Sequence, residues 1–121
     1  MAQKRAGRPL PMPPPEYDKP YDGPMIVAHV DAKMMAQLCP RTIIDRTSRL
    51  EVPVTLGCRH MVPVPNAAQQ TTGYACLIVM AQDDIITGMG YRPIDIEIHE
   101  RAHCLGWGAD HPGARYPEAG D

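Results

Sequence analysis

The sequence predicts a small α+β domain, in which a short and mostly antiparallel sheet packs against one principal helix. Its 121 residues suffice for a single domain. Two short apolar runs, at residues 25–30 and 74–80, are typical of strands, whereas residues 93–105 have apolar side chains at helical spacing. Fourteen Pro and ten Gly favour many loops and extended segments.

The composition argues against two classes of partner. The formal net charge is −2, which gives no electrostatic reason to expect nucleic acid. No apolar run approaches the roughly 18 residues that a membrane span needs. No apolar signal region follows the basic N-terminus, so we expect a cytoplasmic protein, although one released by lysis or carried in a particle would have the same composition.

The N-terminal segment differs from the rest of the chain. Residues 1–24 contain seven prolines, which exclude a helix and an inner strand. We therefore expect a Pro-rich extended arm at 1–24, followed by one folded domain at 25–121. A docking peptide for a partner protein is the alternative function of this arm.

Residues 25–30 open the predicted domain as a strand. The run is apolar except for His29, which we interpret as a structural histidine rather than a metal ligand. Asp31 is a suitable N-cap for a helix at 32–38, and Pro40 ends that helix.

The middle of the chain contains one clear strand. Residues 74–80 are apolar throughout, so this strand is predicted to be central or covered on both faces. Pro53 makes residues 50–56 an edge strand or an extended segment. Residues 58–60 have the pattern C-x-H, which we interpret as loop rather than as a pair of ligands, and residues 61–73 are predicted to be a loop.

Four cysteines permit zero, one or two disulfides. Their spacings lack a C-x-x-C pair, which disfavours a Cys-rich zinc site. We expect small buried thiols. If a disulfide forms, the first pair to test is Cys58–Cys76, because these residues flank one long loop. The other two cysteines are Cys39 and Cys104.

A helix is predicted over residues 93–105. Pro93 suits its first turn, and Gly106 is a normal C-terminal stop. One apolar stripe is expected to pack on the sheet and consists of Ile94, Ile98, Ala102 and Leu105. The adjacent stripe is expected to line a cleft and consists of Ile96, His99 and His103.

The helix contains the pattern H-E-x-x-H at residues 99–103. Histidines four residues apart point the same way, because one helical turn is about 3.6 residues. His99 and His103 are therefore expected to bind one Zn²⁺ ion. Glu100, beside the first histidine, is expected to act as a general base that takes a proton from a metal-bound water and returns it to the leaving amine.

A third ligand is expected after the helix, since a catalytic zinc typically has three protein ligands and a water. His111 is the predicted ligand, because imidazole suits Zn²⁺ and the Gly-Trp-Gly stretch lets the chain turn back. Asp110 is the alternative ligand, or a hydrogen-bond acceptor for a ligand histidine. Trp107, beside the stop at Gly106, is expected either to wall the pocket or to anchor the final loop.

The stretch H-E-x-x-H-x-x-G at 99–106 resembles the zincin metallopeptidases, in particular their metzincin branch. The roles that this resemblance implies are metal ligand for His99 and His103, catalytic base for Glu100 and turn for Gly106. The extended stretch H-C-x-G-W-x-x-D-H-P-G-A-R at 103–115 is similar to small uncharacterised metallopeptidase-like proteins of bacteria, phages and mobile elements. The zincin resemblance also implies that the strand at 74–80 lies beside the active-site helix and aligns an extended peptide along its edge.

These features together predict a zinc-dependent hydrolase that cleaves a peptide bond in a peptide or protein substrate. The alternative is a non-catalytic binding or structural module of a phage or mobile element, stabilised by zinc. Such a module would close its metal site with four protein ligands and would have no need of Glu100.

Overall fold

A computed structural model describes residues 10–39 and 56–116, which form three strands, three α-helices and one short 3₁₀ turn. The prediction of an α+β fold is confirmed. In chain order the elements are a 3₁₀ turn Pro15–Tyr17, β1 Met25–Val30, α1 Ala32–Leu38, β2 Gly57–Pro65, β3 Thr71–Ala81, α2 Asp83–Gly88 and α3 Pro93–Cys104. None of the described helices is both long enough and apolar enough to cross a membrane.

The sheet has the strand order β1-β3-β2, so β3 is central, as its continuous apolar sequence predicts. β2 is antiparallel to β3, whereas β1 is parallel to it. The expectation of a mostly antiparallel sheet therefore holds for one of the two pairings, and the sheet is mixed. Both edges of β3 are occupied by neighbouring strands, so the expectation that its edge aligns an extended peptide is wrong.

The strand β2 corrects the sequence prediction for residues 58–60 and 61–73, which were expected to be loop. They form a β-hairpin with β3, closed by a turn in which Asn66 Oδ1 accepts hydrogen bonds from two backbone N–H groups, 2.9 and 3.0 Å away. Pro63 and Pro65 misled the prediction. Among the described residues β2 is an outer strand of the sheet, and prolines are tolerated there because one side of the strand needs no backbone donor. The edge segment predicted at 50–56 lies almost wholly outside the described residues.

The first strand and helix follow the sequence signals closely. β1 and α1 have the bounds that were predicted, and Asp31 Oδ1 accepts a hydrogen bond from the backbone N–H of Met34 at 2.8 Å. His29 Nδ1 lies 3.2 Å from the Ala81 carbonyl oxygen, beside the sheet and away from the other histidine rings, as a structural histidine would.

The strand register assigns side chains to two faces of the sheet, because directly paired residues share a face. The α3 face carries Gly57, Arg59 and Met61 of β2 and Cys76, Ile78 and Met80 of β3. The α1 face carries Cys58 and His60 of β2 and Ala75, Leu77 and Val79 of β3. Both faces contribute to the buried core, in which Cys76 and Ile78 are fully inaccessible.

Two disulfides join these faces to the helices, so the prediction of buried free thiols is wrong. Cys39 at the end of α1 is bonded to Cys58, and Cys104 at the end of α3 is bonded to Cys76. The pair Cys58–Cys76 is excluded because Cys58 and Cys76 lie on opposite faces of the sheet. The two bonds close loops of 19 and 28 residues. In the chain-entropy view, closing each loop stabilises the fold by about 3 kcal/mol.

Helix α3 follows the predicted orientation only in part, since Ala102 of the predicted stripe is buried but the first residue of that stripe is not. Ile94 is 49% exposed, whereas Ile96 is 3% exposed. A Cβ atom at Gly57 would lie 2.8 Å from Ile96 Cγ2 and 3.4 Å from Glu100 Cγ, so these two side chains rest on β2. The disulfide from Cys104 and the space above Gly57 set this orientation. The prediction of the stripe containing Ile94 depends on apolarity alone. Apolarity reveals neither the disulfide nor the missing side chain at Gly57.

Candidate metal centre

Three histidine side chains converge at one end of α3. The helix begins with Pro93 in its first turn, and it places His99 and His103 one turn apart with their Nε2 atoms 3.2 Å from each other. Gly106, with a φ of +108°, lets the chain reverse after the helix. The reversed chain brings His111 Nε2 to 3.2 Å from His103 Nε2. The ligand atoms of all three histidines lie within 4.8 Å of one another.

Backbone carbonyls hold the two helix histidines in the orientation that a metal needs. His99 Nδ1 lies 2.6 Å from the Pro11 carbonyl oxygen, and His103 Nδ1 lies 2.8 Å from the Trp107 carbonyl oxygen. A carbonyl oxygen can only accept, so each Nδ1 carries the proton and donates. Each Nε2 is then left with a lone pair directed at the cluster, which is the arrangement found around histidine-bound metals.

The spacing and charge of this cluster fit a metal ion. Two nitrogens bound to a tetrahedral zinc at about 2.0–2.1 Å are roughly 3.3 Å apart, close to the 3.2 Å found for both Nε2 pairs. Two facing lone pairs at that distance repel each other unless a cation lies between them. Burial, the largest cause, lowers the pKa of His99 to about 4 and also lowers the pKa values of His103 and His111. The rings are therefore neutral near pH 7, and the three could hold a metal ion.

Trp107 lies against all three imidazoles. It is 2% exposed, stacks on His103 with ring centroids 5.0 Å apart and an interplanar angle of 20°, and meets His99 and His111 in edge-to-face contacts. Its indole N–H donates a hydrogen bond of 2.8 Å to the Pro112 carbonyl. Trp107 thus both borders the cluster and anchors the loop that carries His111, the two roles that its sequence position left open.

Glu100 is buried beside the cluster without joining it. Its Oε2 lies 3.9 Å from His99 Nε2. Burial raises the pKa of the Glu100 carboxyl from 4.5 to about 7, and the positive charge of Arg59 opposes this rise. A carboxyl with a pKa near neutrality can both accept and release a proton at physiological pH, which is the property required of a general base.

Asp110, the alternative third ligand, is exposed, and its carboxylate is not among the converging atoms. A Cβ atom at Gly108 would lie 2.8 Å from Asp110 Oδ1, so this side chain turns toward its own loop. Its negative charge favours protonation of His111 and opposes the lowering of the His111 pKa. The structure thus brings His111, rather than Asp110, to the two helix histidines.

Two groups at the centre escaped the sequence analysis. The Pro11 carbonyl belongs to a segment assigned to the arm, and a backbone acceptor has no sequence signature. Arg59 lies on β2, two residues after Gly57 on the α3 face, and its positive charge acts on both Glu100 and His103. Recognising β2 as a strand would have placed Arg59 on the same face as Gly57.

Comparisons with protein-family models, with curated proteins and with solved structures found no match to this chain.

Proposed function

We propose that this chain is a zinc-dependent metallopeptidase, which hydrolyses a peptide bond in a peptide or protein substrate. The observation that carries the proposal is the convergence of three neutral imidazoles with a buried carboxyl group whose pKa is near 7. Ligands and a proton acceptor placed side by side are the minimum machinery for metal-assisted hydrolysis. The resemblance to zincins supports the same assignment.

Zinc is the proposed ion because the donor set consists of imidazole nitrogens. Imidazole suits zinc, copper, iron and nickel, and the two separations from His103 Nε2 fit the tetrahedral geometry that zinc prefers. Within residues 10–39 and 56–116, the cluster gathers three side chains. Three protein ligands with one open position are the pattern of catalytic zinc sites, whereas structural sites have four.

Each protein group has a distinct role in the proposed reaction. When bound, the ion would supply a Lewis acid that polarises the scissile carbonyl and acidifies water. Glu100, buried beside the cluster, takes a proton as water attacks and returns it to the leaving amine. The Arg59 guanidinium, exposed on the α3 face, provides positive charge for the negative charge that develops on the carbonyl oxygen. Trp107 is buried against the imidazoles and keeps water away from that side of the histidine cluster.

The test compares the wild type with Glu100→Gln on casein and on a peptide library, with zinc content measured in parallel. We expect the variant to keep one zinc and to lose activity by about 10²–10⁴-fold, since only proton transfer is removed. Glu97→Gln, on the same helix but outside the cluster, is the matched control and should retain activity. Undiminished cleavage by Glu100→Gln would exclude its role as base. A wild type that cleaves nothing and holds zinc through four protein ligands would establish the structural module instead.

The two disulfides bear on where the protein works. Disulfides persist in oxidising compartments and are rare in the cytosol. We therefore propose that the chain acts outside a reducing cytoplasm, contrary to the expectation from its N-terminal composition. Thiol titration of the protein isolated under non-reducing, alkylating conditions tests this: no free thiol is expected, and four would overturn the proposal.

A further inference from the structure

We propose that residues 10–18 are a structural part of the metal centre: they position His99 directly and His111 through Arg115. This proposal rests on the proposed metal site and concerns how tightly that site binds its ion. It gives the Pro-rich segment a function other than the extended or docking arm that its composition suggests.

The first contact is made by the Pro11 carbonyl, which accepts the 2.6 Å hydrogen bond from His99 Nδ1. This oxygen decides which ring nitrogen of His99 carries the proton, and it fixes the plane of the ring. The segment that supplies it is packed in place. Met12 is 7% exposed and Pro13 is fully buried.

The second contact joins the segment to the loop that carries His111. Met12 and Arg115 exchange two backbone hydrogen bonds, each 2.8 Å long. The N–H of Ala114, next to Arg115, donates to the His111 carbonyl at 3.2 Å. Anchoring Arg115 to Met12 therefore anchors the turn on which His111 sits. His111 itself has a φ of 58°, in the left-handed region that is uncommon for residues other than glycine.

The third set of contacts is made by side chains. Arg115 Nε donates a 2.8 Å hydrogen bond to the Pro13 carbonyl, and Arg115 Nη2 lies 3.4 Å from Asp18 Oδ2. Asp18 Oδ1 also lies 3.3 Å from Nη2 of Arg101 on α3. Asp18 thus joins the helix that carries His99 and His103 to the residue that holds the His111 loop.

These contacts make metal affinity dependent on groups that never touch the metal. Hydrogen-bond partners of metal ligands typically contribute about 10–100-fold in metal affinity. Arg115 is the residue to change, because its side chain reaches both Pro13 and Asp18 while its backbone bonds to Met12 survive substitution. It is a positioning residue and takes no part in the proposed chemistry.

The experiment measures zinc affinity of the full-length protein by competition with a chromophoric chelator, without any activity assay. Arg115→Ala should bind zinc up to about tenfold more weakly than the wild type, since it loses one hydrogen bond and one ion pair that act on the ligands indirectly. Arg115→Lys should recover much of the affinity, because lysine can still donate to Pro13 or pair with Asp18. Arg92→Ala is the matched control: Arg92 pairs with Asp95 at the start of α3, away from the cluster, and its removal should change affinity by less than about twofold.

A second readout separates positioning from general loss of stability. The d–d absorption spectrum of the Co²⁺-loaded protein reports ligand geometry, and it should change in Arg115→Ala and return toward the wild type in Arg115→Lys. If Arg115→Ala does not fold, Asp18→Ala decides, since it removes only the ion pairs; its affinity should fall about threefold.

The outcomes distinguish this proposal from the one on function. Wild-type affinity and an unchanged cobalt spectrum in folded Arg115→Ala would overturn the positioning of His111 through Arg115 and leave the peptidase proposal intact. A wild type that binds neither zinc nor cobalt would overturn both. Weakened binding in Arg115→Ala supports the present proposal even if no substrate is ever cleaved.

Discussion

The candidate metal centre draws its groups from two parts of the molecule that are built in different ways. His99, Glu100 and His103 lie on one helix, where the backbone repeat sets their separation. Pro11 and His111 come from irregular segments before β1 and after α3, where each position depends on partners distant in sequence. In the helix, local backbone hydrogen bonds fix the direction in which the side chains of these residues point. The irregular segments supply the third imidazole and the carbonyl that orients the first.

The difference implies unequal costs when one histidine is removed. His103 is the middle member of the cluster, 3.2 Å from both neighbours, whereas His111 lies at one side of it. Zinc binding by structural sites amounts to about 10–16 kcal/mol, or roughly 3–4 kcal/mol per ligand. We expect His103→Ala to weaken zinc binding by about 10²–10³-fold, and His111→Ala to weaken it less, because the helix pair survives. Chelator competition measures both.

The control for this pair is His60→Ala. His60 lies on the α1 face, and its Nε2 lies 2.8 Å from the Leu38 carbonyl oxygen, so it shares no contact with the cluster. Zinc affinity should be unaffected by this change. Equal losses from His60→Ala and His103→Ala would show that global destabilisation, and not ligation, explains the effect.

The two disulfides sharpen the comparison, because each joins a helix to a different face of the sheet. Replacing either pair with alanines should cost about 3 kcal/mol in the free energy of unfolding. Loss of Cys76–Cys104 should also weaken zinc binding, since Cys104 follows His103 and fixes the end of α3 against β3. Loss of Cys39–Cys58 should leave zinc affinity nearly unchanged. Guanidinium denaturation and chelator competition on the two double variants measure both quantities. Equal effects on zinc affinity would contradict the assignment of one disulfide to the site.

Local signals in the sequence were sufficient for one part of the molecule. The strand β1, the cap at Asp31, the central strand β3 and the spacing of His99 and His103 all depend on residues within one or two turns of each other. These were predicted correctly because such patterns are written in consecutive residues. The prediction of His111 rather than Asp110 as the third ligand also used local features. These are a Gly-Trp-Gly stretch that lets the chain turn back and an imidazole that suits zinc.

The remaining features depend on contacts between distant residues, and no local pattern encodes them. The pairing of cysteines follows from which face of the sheet each one occupies, and this requires the register of β2 on β3. The orientation of α3 depends on the absence of a side chain at Gly57, which lets Ile96 and Glu100 lie against β2. The role of Pro11 depends on a carbonyl that meets a ring 88 residues later in the chain. Proline-rich composition predicts neither a helix nor an inner strand in this segment, and residues 10–24 contain only the short 3₁₀ turn Pro15–Tyr17 and an isolated bridge at Met12. Composition could not indicate what the segment contacts.

The smallest expected effect is on the pH dependence of the free energy of unfolding of the metal-free protein. It reports whether the Glu100 carboxyl is buried in the folded state. Its pKa is about 7 when folded and near 4.5 when unfolded, so the native state binds more protons between these pH values. The stability that Glu100 contributes is therefore fully present below about pH 4.5 and is lost as pH rises through 7. Wild type should lose about 2 kcal/mol more than Glu100→Gln between pH 5 and pH 8. Urea denaturation in the presence of a chelator measures this difference. Parallel pH profiles of the two proteins would mean that the Glu100 carboxyl is not desolvated in the native state.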